Sequence, residues 1–360
     1  MFKENSPSYR IMALICMCGE CSEKALSILI ADEPNRNKLI TSLITKKLII
    51  RYQKNELVGF RLTRNAKKMI LLTASERFGF FLENGADYSM RRASIPYRLR
   101  QHRISETLAM MERAEIETYR NSKYNIFEKV LDQAKELSSS AFYLPKEIKT
   151  QQKPIQKIIN SKMTGLWITE DAARLCYQSS KEFLKQFNNI EHRAETLIHS
   201  KLQTSGLDIN CCDAILFGNT MEPVKTYLNN SLIQNYIQRS PFRRFCYIPM
   251  DENGIMLLKL LNSPNLYNHL LTILAEDLHP KEDSYLLNDG FTKNGLPTLI
   301  CIDCDLKRLA TFRTQLNYSG KSGEVICFDF QKDSMKEIFG KNIYIATIDS
   351  NIIRKLILIN

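Results

Sequence analysis

No run of 18 apolar residues occurs in the 360-residue sequence, so no transmembrane helix is expected. The first ten residues, MFKENSPSYR, lack the apolar core and small-residue cleavage site of a secretory leader. A cytoplasmic location without a membrane partner is therefore expected. No G-x-x-x-x-G-K-[ST] loop and no G-x-G-x-x-G turn is present, which argues against a P-loop ATPase and a dinucleotide-binding fold. Histidine is scarce: His102, His192, His199, His269 and His279 are all there are. No two stand one residue apart. A nicking enzyme that shares a metal between two histidines on one strand face needs that spacing.

Anions are nearly missing from one stretch. Residues 35–68, NRNKLITSLITKKLIIRYQKNELVGFRLTRNAKK, contain ten Lys/Arg and a single acid, Glu56. Residues 34–103 carry 16 Lys/Arg against 4 Asp/Glu, whereas residues 151–360 carry 24 against 22. The basic field thus belongs to the front of the chain, where contacts to phosphates would put it. An anionic membrane surface is the rival partner, but no long basic amphipathic helix supports it.

Local pattern gives that stretch a shape. Leu39, Ile40, Leu43 and Ile44 recur at helical spacing on one face, with Lys38, Thr41, Ser42 and Thr45 opposite. Residues 48–53 read as a strand, 54–56 as a turn and 57–63 as the returning strand. Two helical segments precede, at 9–18 and 22–30, with Ser22 placed to cap the second. A helix at 64–72 follows. The order helix, helix, helix, strand, turn, strand, helix resembles a winged helix over residues 8–74. That resemblance implies a third helix in the DNA major groove and a hairpin against the backbone. Arg36, Asn37, Lys38, Thr41, Ser42 and Thr45 are then the candidates for base readout. Lys46, Lys47, Lys54, Arg61, Arg64 and Lys68 are candidates for phosphate contact. Arg91 and Arg92, with Arg98, Arg100 and Arg103 beyond them, would extend it.

Residues 76–138 read as a helical connector, with a helix at 98–120 whose Ile104, Leu108 and Met111 share a face, and another at 124–137. From about 139 onward strands alternate with helices. Strands are expected at 141–149, 163–169, 172–177, 214–218, 245–249, 299–303, 324–330 and 343–348. Helices are expected at 181–203, 224–238, 254–261, 265–278 and 306–316. Residues 352–358 suit a strand or a short helix. The fold class is therefore α+β or α/β: a winged helix-turn-helix (1–75), a connector (76–138) and a C-terminal α/β domain with a mixed sheet (139–360), possible as a degenerate nuclease-like core.

Ten cysteines include C-x-C-x2-C at Cys16, Cys18 and Cys21 and C-x2-C at Cys301 and Cys304. Together they could hold zinc or an iron–sulfur cluster. The simpler reading is small buried side chains, because Cys16 and Cys18 fall in an apolar helix and Cys301 and Cys304 in an apolar strand. No metal and no cofactor is expected on that reading. A nuclease core would need strand-borne carboxylates around magnesium. Asp213, Asp303 and Asp329 are the candidates, with Asp305 close by. Glu147-Ile148-Lys149 offers an E-x-K tripeptide. Caps and turns account for such acids equally well.

Several phrases then fall in series: FYLPKEIK (142–149), SKMTGLWITEDAARLCY (161–177), IEHRAETLI (190–198), AILFGN (214–219), FCYIPMDENGIMLLKLL (245–261) and GEVICFDFQ (323–331). Behind the front domain, this series resembles the replication-relaxation family of Gram-positive plasmids and integrative elements. The resemblance implies sequence-specific binding of double-stranded DNA in element replication or transfer. A homodimer and element-encoded transfer or replication proteins would be its protein partners. It carries no catalytic residues across. A metal-dependent nickase, and a transcriptional regulator with a dimerising or ligand-sensing back domain, are the alternatives. Magnesium is expected only under the first of these.

Overall fold

The computed structural model describes residues 3–83, 93–124, 126, 140–150, 161–179, 188–207, 209, 212–280 and 287–359. The chain forms two compact units. One comprises Met1–Gln151 with Thr164–Trp167, the other Gln152–Met163 with Ile168–Asn360. Among the described residues no helix is long and apolar enough to cross a membrane.

The first unit opens on α1 (Pro7–Cys18). Ser6 caps it, its hydroxyl accepting from the Tyr9 amide, and Gly19 ends it at a φ of 78°. Residues Ile11 to Cys18 are all buried, so α1 is the central helix of this unit. Ser22 caps α2 (Glu23–Leu29) as expected, accepting from the Ala25 amide at 2.9 Å. α3 (Glu33–Thr45) has Pro34 in its first turn and buries only Leu43. It is a surface helix, held by one narrow apolar edge.

Lys47, at a φ of 54°, turns the chain out of α3. β1 (Ile49–Lys54) and β2 (Leu57–Leu62) then pair antiparallel, from Ile49 opposite Leu62 to Lys54 opposite Leu57. A two-residue loop needs positive φ, and Asn55 supplies it at 54°. α4 (Arg64–Glu83) runs well past the expected end at 72. Its only non-helical residue is Ala74, and beyond that break Phe78 and Phe81 are buried. Those two rings hold in the core a segment expected to belong to the connector. α5 (Ile95–Arg113) stops before 120 because Glu115 turns the chain at a φ of 62°. It is no bridge between domains: Arg98, His102, Ile104 and Leu108 are all buried within the first unit.

Residues 141–149 do not form one strand. β3 (Ala141–Tyr143) ends where Pro145 starts the short helix α6 (Pro145–Thr150), whose Glu147 carboxylate accepts from the Leu144 amide at 2.7 Å. β4 (Gly165–Ile168) lies beside β3. The helix expected at 124–137 falls almost wholly outside the described residues, as do Arg91 and Arg92.

The second unit is built on two sheets. In the first, β5 (Ala173–Gln178), β6 (Cys212–Gly218) and β7 (Phe245–Pro249) run parallel and every residue is buried. This is what continuous apolar strands such as AILFG foretell. α7 (Asn188–Thr204) links β5 to β6. The helix expected at 224–238 is two, α8 (Glu222–Asn229) and α9 (Ser231–Arg239). The Asn230 side chain accepts from the Leu232 and Ile233 amides and restarts the helix. α10 (Glu252–Leu261) and α11 (Pro264–Ala275) follow β7.

The second sheet has the order β11-β10-β9-β8, with β8 at Gly290–Phe291, β9 at Pro297–Ile300, β10 at Gly323–Phe328 and β11 at Ile343–Ile348. β9, β10 and β11 are parallel and β8 is antiparallel to β9, so the sheet is mixed. α12 (Leu306–Ser319) and α13 (Lys332–Phe339) connect its strands. α14 (Ser350–Ile359) is a helix, which settles the choice left open at 352–358. Met256, Leu257, Leu260, Ile300, Ile302, Phe328 and Ile353 form its core cluster. The fold is mixed α+β.

Candidate functional site

The basic stretch folds into one helix and one hairpin, and most of its polar side chains reach solvent. Asn37, Lys38, Thr41, Thr45 and Lys46 of α3 and its C-terminal turn are exposed, as are Lys47, Arg51, Lys54, Arg64 and Lys68. Ser42 is half-buried. Two readout candidates are partly committed elsewhere. The Arg36 guanidinium donates to the Ile30 carbonyl at 3.0 Å, which closes the end of α2. The Thr45 hydroxyl donates to the Thr41 carbonyl one turn back.

Arg61 departs from the expectation of a phosphate contact. It is 8 % exposed, its Nε donates to Glu20 Oε2 at 2.7 Å, and its guanidinium stacks over Tyr52 at 3.6 Å. Alternation alone does not explain this, because β2 is buried on both faces from Gly59 to Leu62; the partner Glu20 holds Arg61 inside. Arg98 departs further, with no exposure at all. It donates to Glu20 through Nε and Nη2, and Nη2 also reaches the Tyr52 and Leu57 carbonyls at 3.2 and 3.1 Å. Those two carbonyls sit on opposite strands of the hairpin. His102 Nε2 lies 2.7 Å from Glu20 Oε1 and completes the group. Arg100 and Arg103 are half-buried.

Glu20 is the residue that the sequence reading missed. It sits at the centre of this cluster, fully buried. Burial would raise its carboxyl pKa, but the bonds from His102, Arg98 and Arg61 outweigh that and hold it down at about 2. The signal was present: a lone acid in the apolar run CMCGEC calls for a cation brought from elsewhere. Gly59 makes room for it, because a Cβ there would stand 2.3 Å from Glu20 Oε1 and 2.7 Å from His102 Nε2. The hairpin therefore rests on a buried ionic platform, and its exposed cations Arg51 and Lys54 lie on β1, Lys54 at the turn end.

The cysteines are buried side chains. Cys16, Cys18, Cys21, Cys301 and Cys304 are all inaccessible, and burial pushes their thiols up, Cys16 to about 12. Cys301 and Cys304 lie beyond the end of β9, not within a strand, and Cys304 turns the chain at a φ of 51°. Among the described residues no group of three or more His, Cys, Asp or Glu is arranged to hold a metal.

The acidic candidates divide. Asp213 and Asp303 meet at Arg244, which binds Asp213 through Nε at 3.1 Å and lies 3.8 Å from Asp303. Arg243 adds a second pair of bonds to Asp213, both 3.1 Å. Asp303 accepts from the Tyr267 hydroxyl at 3.0 Å. Asp305 caps α12 by accepting from the Lys307 amide, and burial together with Asp303 raises its carboxyl to about 6. Asp329 stands apart, accepting from Ser350 at the start of α14. A cavity of about 350 Å³ is lined by Arg174, Arg243, Arg244, Tyr267, Asp303 and Arg308 among others. Lys307, the lysine nearest these acids in sequence, points its ammonium at the Ser240 and Phe242 carbonyls. The E-x-K candidate dissolves too: Glu147 lies in a helix and is bound by the buried Lys123 at 2.9 Å. Arginines occupy the positions around Asp213 and Asp303 that a divalent cation would need.

Compared with protein-family models, with curated proteins and with solved structures, the chain has no match in any of the three.

Proposed function

We propose that the first unit contains a winged helix that binds duplex DNA, with α3 as the reading helix and the β1–β2 hairpin as the wing. The observation that carries this reading is the exposed row Lys38, Lys46, Lys47, Arg51, Lys54, Arg64 and Lys68, gathered on a helix of low burial and its adjoining hairpin, with Glu56 as the one acid between residues 35 and 68. A helix that buries one leucine is free to enter a groove, and lysines along it neutralise phosphates and release counterions. Asn37, Lys38, Thr41 and Ser42 carry the groups suited to base edges. Lys46, Lys47, Lys54, Arg64 and Lys68 carry the phosphate contacts. The series of phrases that resembles the replication-relaxation family is what suggests a role in replication or transfer of a mobile element.

The test is fluorescence anisotropy of the full chain on random and selected duplexes across a salt series. A steep fall of affinity with salt, together with preference for a selected sequence, is expected. Salt-independent or undetectable binding would sink the reading.

The meeting of Asp213 and Asp303 keeps a magnesium-dependent nickase as the second reading. Arginine pairing at both carboxylates weighs against it. Nicking of supercoiled plasmid with magnesium, lost in Asp303→Asn, is the result that would reverse this order.

A further inference from the structure

β11 is the outer strand of its sheet. β10 takes one edge, and among the described residues no strand takes the other. Its six residues, IYIATI, include no charge, proline or glycine. Outer strands commonly carry a charge, a proline or a bulge that discourages pairing with another chain. This one has none of those devices within its length. Tyr344 is 62 % exposed, Thr347 is exposed, and Ile343, Ile345 and Ala346 are half-buried. Charges stand just outside both ends, each exposed: Lys341 in the 3-10 turn before the strand, and Asp349 after it, where one carboxylate oxygen accepts from the Asn351 amide.

We infer that this edge is a homodimer interface, in which β11 of two copies pairs antiparallel about a twofold axis at Ile345. A twofold perpendicular to the sheet sets Ile345 opposite its own copy, Tyr344 opposite Ala346 and Ile343 opposite Thr347. The same register brings the 3-10 turn that carries Lys341 beside the partner copy's Asp349, once at each end. Cross-strand pairs of opposite charge stabilise a ladder, and a large ring beside a small side chain fills space without clash. Moving the axis to Ala346 would put Ile343 against Asp349 and leave Lys341 without its acid, so the ends select the register. Parallel pairing of two copies would bring like ends together. The sequence that complements Lys–Asn–IYIATI–Asp is that same sequence read backwards, which is why the partner is a second copy and not a foreign strand. α14 leaves the end of β11 with Ile352 and Leu358 exposed at 55 % and 81 %, adding apolar surface beyond the strand. The dimer does not depend on the DNA-binding reading.

Sedimentation equilibrium of the full chain, without DNA, tests this. A concentration-dependent dimer is expected. Ile345→Lys sets two like charges on the axis and should leave a monomer. Lys341→Glu faces Asp349 with a second acid at both ends and should weaken the dimer roughly tenfold, while Lys341→Glu with Asp349→Lys should recover most of that loss. Circular dichroism checks that each variant folds. In the unmodified protein, amide hydrogen exchange across residues 343–348 should slow as concentration rises, a readout that needs no variant. A monomeric wild-type chain, or dimerisation unmoved by both Ile345→Lys and Lys341→Glu, overturns the proposal.

Discussion

Arg98 and Glu20 stand 78 residues apart in the chain and 2.7 Å apart in space, with no solvent reaching either side chain. The pair ties three elements: the turn after α1, the turn end of the hairpin and the first turns of α5. Replacing one member leaves the other charged and closed in. Arg98→Met should therefore lower the unfolding free energy of the first unit by about 3–5 kcal/mol. Denaturant titration followed by circular dichroism measures this. A loss well under 1 kcal/mol would show that the platform is relaxed in solution.

Acid should act on the same site. The Glu20 carboxyl is held at about 2 in the fold, below its ordinary value of 4.5. Its contribution is present in full above that ordinary value and disappears as pH falls through about 2. The shift corresponds to roughly 3 kcal/mol. Glu20→Gln should flatten the stability of the first unit between about pH 4.5 and pH 2. Melts of both proteins across that window compare directly, and an unchanged slope would count against the assignment.

Asp305 predicts the opposite sign for the second unit. Its carboxyl rises to about 6 in the fold from an ordinary 3.8. An acid raised in this way favours the folded state at low pH and withdraws that support as pH climbs from about 4 through 6. Asp305→Asn keeps an acceptor for the Lys307 amide and removes the charge beside Asp303. Stability at pH 8 should be unchanged or higher, and the decline between pH 4 and 6 should shrink. A large loss at every pH would mean that the cap alone matters.

Lys54 and Arg61 separate surface from interior on one hairpin. Lys54→Ala should weaken binding to all duplexes and reduce the salt slope by about 1. Arg61→Ala should instead lower thermal stability, because its guanidinium serves Glu20 and Tyr52. Lys38→Ala and Thr41→Ala should relax sequence preference more than overall affinity. Identical salt slopes for Lys54→Ala and the wild type would remove the hairpin from the interface.

What the sequence revealed of this fold is local. The periodicity of Leu39, Ile40, Leu43 and Ile44 and the alternation across residues 48–63 placed α3 and the hairpin within two or three residues. Ser22 was legible as a cap because capping depends on neighbours three residues away. Asn230 could have been read the same way, but the apolar period of residues 224–237 hid the break. Pro145 likewise marked a helix start behind a strand too short to suggest it. The burial of Arg61 and Arg98 was not legible, since it depends on an acid 41 and 78 residues distant. Side chains that look alike in sequence, such as Arg61 and Lys54, take opposite fates on one face of the hairpin, because Lys54 stands at its turn and Arg61 lies beside Glu20. The acids in the second unit show the same limit: Asp213 and Asp303 meet at one arginine, Arg244, just before β7.

The nine described thiols offer a use of their own. All are shut away from solvent, three in the first unit and six in the second. An alkylating reagent attacks thiolate, which these side chains supply only when the fold around them opens. Mass spectrometry after a short pulse of such a reagent would then register cysteines 16, 18 and 21 separately from the other six. The order in which the two sets gain label reports which half of the molecule gives way first under heat or denaturant.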